Sequence, residues 1–301
     1  MLSKEQTWAL LKKSGAVKGS MPDDPTDPTW DLIHKDLAGA DLTGADLSEA
    51  DLTETNLSGA ILSEGLLCDA NLGGCNLQKA ILVKCDLNGA HLMDADFSEA
   101  DLTDANLSEA NLSGANLTMA NLTNANLSES FMNNVNLSNA NLLRANISMV
   151  NLAGANLTGA DLGSANMNAS DMSDADLSAA NLTSADLKEA NFYKSKLIGA
   201  KLNGANCENV NFYGVDGSGA NLSAADLTNA NFFEANLSGA DLSGANLSGA
   251  NLTSANLSNT ILKAANLAGA DLTGANLEGA DLSEAILEAK PTEIPTETKQ
   301  S

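Results

Sequence analysis

Leu recurs every five residues from Leu37 to Leu287, with Ala two positions before it and Asp or Asn immediately before it. The 51 consecutive pentapeptides contain no insertion or deletion, and 41 are centred on Leu. With the central residue written i, Ser or Thr follows at i+1 and Gly, Glu or Asn at i+2. A spacing of five matches neither the helical nor the strand period, so neither element keeps every Leu on one face. The chain therefore has to turn once per repeat. If each pentapeptide is one short extended side followed by a corner, four make a square coil of about 20 residues, with Leu at i and Ala at i−2 facing inward. Large Leu beside small Ala suits a narrow interior filled in layers. The outward positions carry residues that tolerate turns or bond to nearby backbone. Residue i then stacks on i+20 through parallel backbone hydrogen bonds at roughly 4.8 Å spacing.

The A(D/N)LXX pattern, typified by Ala240-Asp241-Leu242-Ser243-Gly244 and Ala245-Asn246-Leu247-Ser248-Gly249, resembles the pentapeptide-repeat family over residues 36–289, and its regular cyanobacterial-type members above all. The resemblance implies an all-β fold, a right-handed quadrilateral parallel β-helix. At four repeats per coil it has nearly 13 coils and a length of roughly 60 Å. It also implies a non-enzymatic scaffold or regulator that binds a protein partner through flat solenoid faces. The alternative it suggests is an acidic DNA mimic on a type II topoisomerase such as DNA gyrase, the role taken by the family's fluoroquinolone-resistance members. Those members dimerise through a C-terminal helix, and no apolar-striped helix is expected after the last repeat here.

The flanks differ in composition. Residues 1–15 read as a helix that caps the first coil, with Ser3 as N-cap, Gln6 completing a capping box, Gly15 near its end, and Leu2, Trp8 and Leu11 on its apolar side. Residues 16–35 contain Pro22, Pro25 and Pro28 and read as a linker in which Trp30 covers the first coil and Leu32 is already in register. Residues 290–301 form a Pro/Thr-rich tail expected to be disordered.

Within the repeats, departures from the pattern mark candidate surfaces. Phe192, Phe212 and Phe232 are centres 20 residues apart and predict an inward ladder on one side. Tyr193, Tyr213 and Phe233 follow at i+1 and predict an outward aromatic stripe beside Lys188, Lys194, Lys196 and Lys201. Aromatics flanked by cations on an acidic rod make a candidate protein-binding patch, since aromatics supply contact area at low entropy cost. Packing of the rings on one another is the alternative origin. Ile61, Leu66 and Ile81 replace Asp/Asn at i−1 and predict a smaller apolar spot, with Ile61 stacked on Ile81. Phe131, Met132 and Val135 form one further local disturbance. Around Cys207, Phe212 and Gly217 the centres vary in size, and the Phe212 ring is expected to fill the space Gly217 vacates.

The net charge is −24, and residues 36–289 hold 32 of the 39 acidic residues but 8 of the 15 basic ones. Direct nucleic-acid binding is therefore not expected. Spread over all four sides, the acids serve solubility first. No apolar run reaches membrane-spanning length and no signal-peptide core is present, which predicts a cytoplasmic protein, monomeric or weakly dimeric, with no membrane insertion. Cys75, Cys85 and Cys207 take inward positions and Cys68 an outward one, with no CxxC pair. His34 and His91 are too few for a catalytic system, no phosphate-binding loop occurs, and neither enzyme activity nor cofactor nor metal is expected.

Overall fold

The computed structural model of the protein describes residues 4–14 and 32–287. Leu2, Ser3, Gly15, the linker prolines, Trp30 and the tail from Glu288 onward lie outside the described residues. From Asp36 to Ile286, each i−1 residue bridges in parallel to the residue 20 positions later. We number the sides by their first centres: Leu37 on side one, Leu42 on two, Leu47 on three and Leu52 on four. The centres and the i−2 residues between them build one continuous core, with every Leu centre from Leu37 to Leu267 at most 3% exposed.

The expected short strands contract to single bridging residues. The reason is arithmetic: a four-residue turn runs from each centre to the next i−2 residue, as when Ala45 N–H donates to the Leu42 carbonyl at 2.9 Å, and only i−1 remains between consecutive turns. Every i+2 residue from His34 to Glu284 has φ between 53° and 73°, while no other described residue has positive φ. Positive φ at the third turn position alone defines a type II turn. Gly fills 18 of these corners; the other 33 are Glu, Asp, Asn, Lys, Ser, Ala, Met, His or Arg, and none is β-branched. A branched Cβ is the side-chain type least compatible with this backbone region.

Backbone donors in each repeat can be followed individually. Using the Leu42 repeat, the Leu42 N–H donates to Ile61 O of the next coil at 2.7 Å, Gly44 N–H to Ser63 O at 2.9 Å, and Ile61 N–H back to Ala40 O at 2.9 Å. With the turn bond, that accounts for four of five N–H groups. The fifth, at i+1, has no carbonyl in reach and donates to Oδ1 of the i−1 side chain, as Thr43 N–H does to Asp41 at 3.1 Å. The same bond, at 2.9–3.3 Å, occurs at each of the 42 described Asp or Asn residues in this position. An Asx side chain thus completes the backbone's hydrogen bonding, which is why the pattern demands Asp or Asn there.

Asn has a second use. Its Nδ2 donates to Oδ1 of the Asx one coil below, as from Asn126 to Asn106 at 3.1 Å and from Asn146 to Asn126 at 2.9 Å. Asp can only accept in such a column. Sixteen i−1 residues are Asp, yet no Asp bridges another Asp. Each charge is flanked along the rod axis by a neutral or cationic group.

The N-terminal helix α1, Lys4–Ser14, closes the first coil. Thr7 and Leu11 are fully buried, and Trp8 and Leu10 pack on the core. The Thr7 Oγ1 accepts the Asp46 N–H at 2.9 Å, standing where a preceding coil's carbonyl would be. The ladder reaches back to Leu32, which is buried and donates its N–H to Asp51 O at 2.8 Å.

Two predictions follow from this lattice. Ala224, at φ +55°, should accept Gly with little change in thermal midpoint, whereas Ala224→Val should destabilise by about 1–2 kcal/mol in thermal unfolding. Asn116→Asp places a carboxylate directly above Asp96, whereas Asn126→Asp loses the same Nδ2 donor between neutral neighbours. Asn116→Asp should therefore be the more destabilising, by about 0.5–1 kcal/mol, with the gap shrinking at high salt.

Candidate interaction surface

Side four and its corner carry a double aromatic ladder. Phe192, Phe212 and Phe232 are buried, with ring centroids 5.2 and 4.8 Å apart. Outside them Tyr193 stacks on Tyr213 at 5.2 Å and Tyr213 on Phe233 at 5.4 Å, both pairs 19° from parallel. The outer rings are half-buried. Because coil spacing stacks them face to face, they turn edges outward, and packing on one another uses much of their flat area. The Lys194 ammonium lies 5.0 Å from the Tyr193 centroid, and its hydrogen bond with Tyr193 holds it above the usual lysine range. The Tyr213 hydroxyl donates to Glu234 at 3.2 Å, which pushes its phenol upward.

The four lysines do not share this edge. All fall within one coil, so they distribute around the rod: Lys188 at the corner after side three, Lys194 at the corner after side four, Lys196 on side one and Lys201 on side two. Lys188 pairs with Glu208 at 2.9 Å and Lys196 with Asp176 at 3.4 Å. Only Lys194 attends the stripe directly, and Lys196 lies around the corner with Ile198, which is 42% exposed. The Gly217 gap is also filled otherwise than expected: a Cβ at Gly217 would come within 2.9 Å of Leu237 Cδ2. Leu237 stacks on the same side one coil later and leans into the space, so Phe212 is not the nearest filler. Gly217→Leu, although it restores the common centre, should destabilise by about 1–3 kcal/mol in thermal unfolding.

Ile61 and Ile81 bridge each other on side two, and Ile81 is 39% exposed. Leu66 lies around the corner on side three, where it lines an open groove with Glu64, Gly65, Lys84, Cys85, Asp86, Asp104 and Asn106. His91 occupies an i−1 bridging position between Asn71 and Asn111, not a corner, and His34 meets Glu54 at 3.3 Å. Burial raises all four thiols, to about 11 for Cys68 and about 12 for Cys75, so they stay protonated at neutral pH. Among the described residues no His/Cys/Asp/Glu group could hold a metal ion, and no helix is long and apolar enough to cross a membrane.

Four exposed apolar side chains at i+1 or i+2 escaped the sequence reading as site candidates: Met93, Met119, Met149 and Ile198, with exposures of 48%, 61%, 57% and 42%. The available signal was an apolar residue at i+1 or i+2, where the pattern is polar. Phe131, 55% exposed, belongs with them.

The family model described as pentapeptide repeats (8 copies) matches in successive windows, 31–67, 70–108, 105–142, 120–159, 155–197, 190–229, 211–249, 230–267 and 250–288. Among solved structures, the chain is similar to HetL, a pentapeptide repeat protein involved in heterocyst differentiation regulation from the cyanobacterium Nostoc sp. strain PCC 7120. The identity is 36% over 68% of this chain and 90% of HetL, with a TM-score of 0.57. It is 41% identical to alr5209, a pentapeptide repeat protein from Nostoc PCC 7120, over 31% of this chain and 77% of that one, with a TM-score of 0.28. QnrB1, a plasmid-mediated fluoroquinolone resistance protein, matches over 73% of this chain and 90% of its own at 17% identity and a TM-score of 0.23, too distant to bear on function. No curated protein sequence matches significantly.

Proposed function

Because the chain belongs to the pentapeptide-repeat family, whose fold is the right-handed quadrilateral β-helix, we propose that it is a non-enzymatic protein-interaction rod of nearly 13 coils. On this proposal the rod is a scaffold or regulator in the cytoplasm, and its acidic surface keeps it soluble and away from nucleic acid. The observation that carries the reading is the outer stack Tyr193–Tyr213–Phe233 at the corner after side four. Held rigid by the ladder behind it, the stack would lose little conformational freedom when a partner covers its edges. Lys194 and Ile198 extend the surface around the corner. The involvement of HetL, at 36% identity, in heterocyst differentiation regulation supports a regulator over a purely mechanical element. The partner expected here is a protein whose polar groups face the electropositive ring edges.

The test is affinity capture from native cell extract with wild type and the triple variant Tyr193→Ser, Tyr213→Ser, Phe233→Ser side by side. A protein retained by wild type and lost from a variant whose circular dichroism is unchanged is the expected outcome. Equal capture by both would remove the stripe as the site.

A further inference from the structure

Several departures from the repeat coincide at the corner between sides three and four, around Phe131 and Met149. Phe131 occupies an i−1 position, so the Asn133 N–H lacks the side-chain acceptor that every Asp or Asn there supplies. Beside it Ser130 replaces the usual Ala, and its buried Oγ has no hydrogen-bond partner, although the hydroxyls of Ser170, Ser195 and Thr260 in equivalent positions bond to a carbonyl at 2.6–2.9 Å. One coil on, Val150 replaces Ala, and no hydrogen bond closes the turn from Ile147 to Val150. The Phe131 and Val150 changes each go with a missing backbone hydrogen bond, and Ser130 adds a buried hydroxyl that bonds to nothing. Val150 is buried, but Phe131 and Met149 bring no burial in return, being 55% and 57% exposed. Phe131 bridges Asn151, two residues beyond Met149, so the two apolar side chains emerge from adjacent coils on the same edge.

The surroundings are of one sign. Glu109 and Glu129 precede Met149 in its own corner column, and Asp171 lies two coils beyond Phe131 in the Phe131 column. Between residues 92 and 187 the single basic residue is Arg144, one corner away and turned to Asn124, to which its Nε donates at 3.2 Å. An apolar pair that the fold does not need, set in an uncompensated acidic field, fits a segment carrying apolar and basic groups together.

We propose that the Phe131–Met149 edge docks a basic amphipathic segment of a partner protein. Apolar residues of that segment cover the Phe ring and the Met thioether, and its Lys or Arg side chains meet Glu109 and Glu129. The site stands on residues other than the aromatic stripe and is tested apart from it.

Binding is measured by fluorescence anisotropy with three labelled peptides: an amphipathic Leu/Lys helix, the same pattern in Leu/Glu, and a Ser/Lys peptide of equal charge to the first. Wild type should bind the Leu/Lys peptide best. Phe131→Asn with Met149→Ser should weaken that binding at least about tenfold. These substitutions leave the net charge unchanged, and Asn at 131 restores the missing acceptor, so the variant should melt no lower than wild type. The stripe variant at Tyr193, Tyr213 and Phe233 should bind as wild type does. Equal binding by wild type and the Phe131/Met149 variant would overturn the proposal, as would equal binding of the Ser/Lys peptide. Self-association of wild type in sedimentation, abolished by Phe131→Asn with Met149→Ser, would overturn it in favour of a second copy of this chain.

Discussion

A five-residue repeat hands four of its amide protons to backbone carbonyls, and the rest of this rod depends on what receives the fifth. The receiver is Oδ1 of the residue before each centre, and where that residue is not Asp or Asn the donor at i+1 is left to solvent or to nothing. Buried or half-buried amides are costly to leave unpaired, so this one requirement imposes an Asx residue on most turns. Everything outward is then built around a polar column. The inward half follows separately, from Leu and Ala filling a narrow square interior.

Once the backbone is satisfied in this way, the surface is organised by columns of residues 20 apart, and neighbours in sequence are dispersed around the rod. Function in such a molecule is to be sought where a residue serves the lattice badly. The aromatic double ladder and the Phe131 edge differ instructively on that measure. The outer rings of the ladder stack on one another, so packing repays part of their presence, and their neighbours keep the Asx bond. Phe131 gives up that bond and remains largely in water. Both lie along side four, which makes it the least regular side of the rod.

Much of the fold was legible because translation by 20 residues is a symmetry of the sequence. Stacking of Ile61 on Ile81 and the two aromatic ladders follow from subtraction alone. What misled was sequence proximity. Lys188 to Lys201 look like a cluster on paper, yet five residues of chain turn a full corner, and thirteen carry the lysines around all the sides. The filling of the Gly217 gap by Leu237 was not visible either, because it depends on how one side chain leans along the axis. The methionine edge was passed over because single apolar residues at corners look like drift until their exposure and the missing hydrogen bonds around them are seen together.

The rule that no Asp stands on another reaches beyond electrostatics to how such a chain can lengthen. Asp36 and Asp51, Asp86 and Asp101, and Asp226 and Asp241 are each 15 residues apart, while Asp161 and Asp186, and Asp216 and Asp241, are 25 apart. Gaining a single pentapeptide within one of the first intervals, or losing one within the second, would set those carboxylates face to face. Adding or removing a whole coil leaves the surrounding columns in phase. The charge pattern therefore fixes the phase of these columns. A tandem copy of a coil sets each residue on its own duplicate, so a whole coil can be repeated without face-to-face carboxylates only where no Asp precedes its centres, as between Asn106 and Asn156.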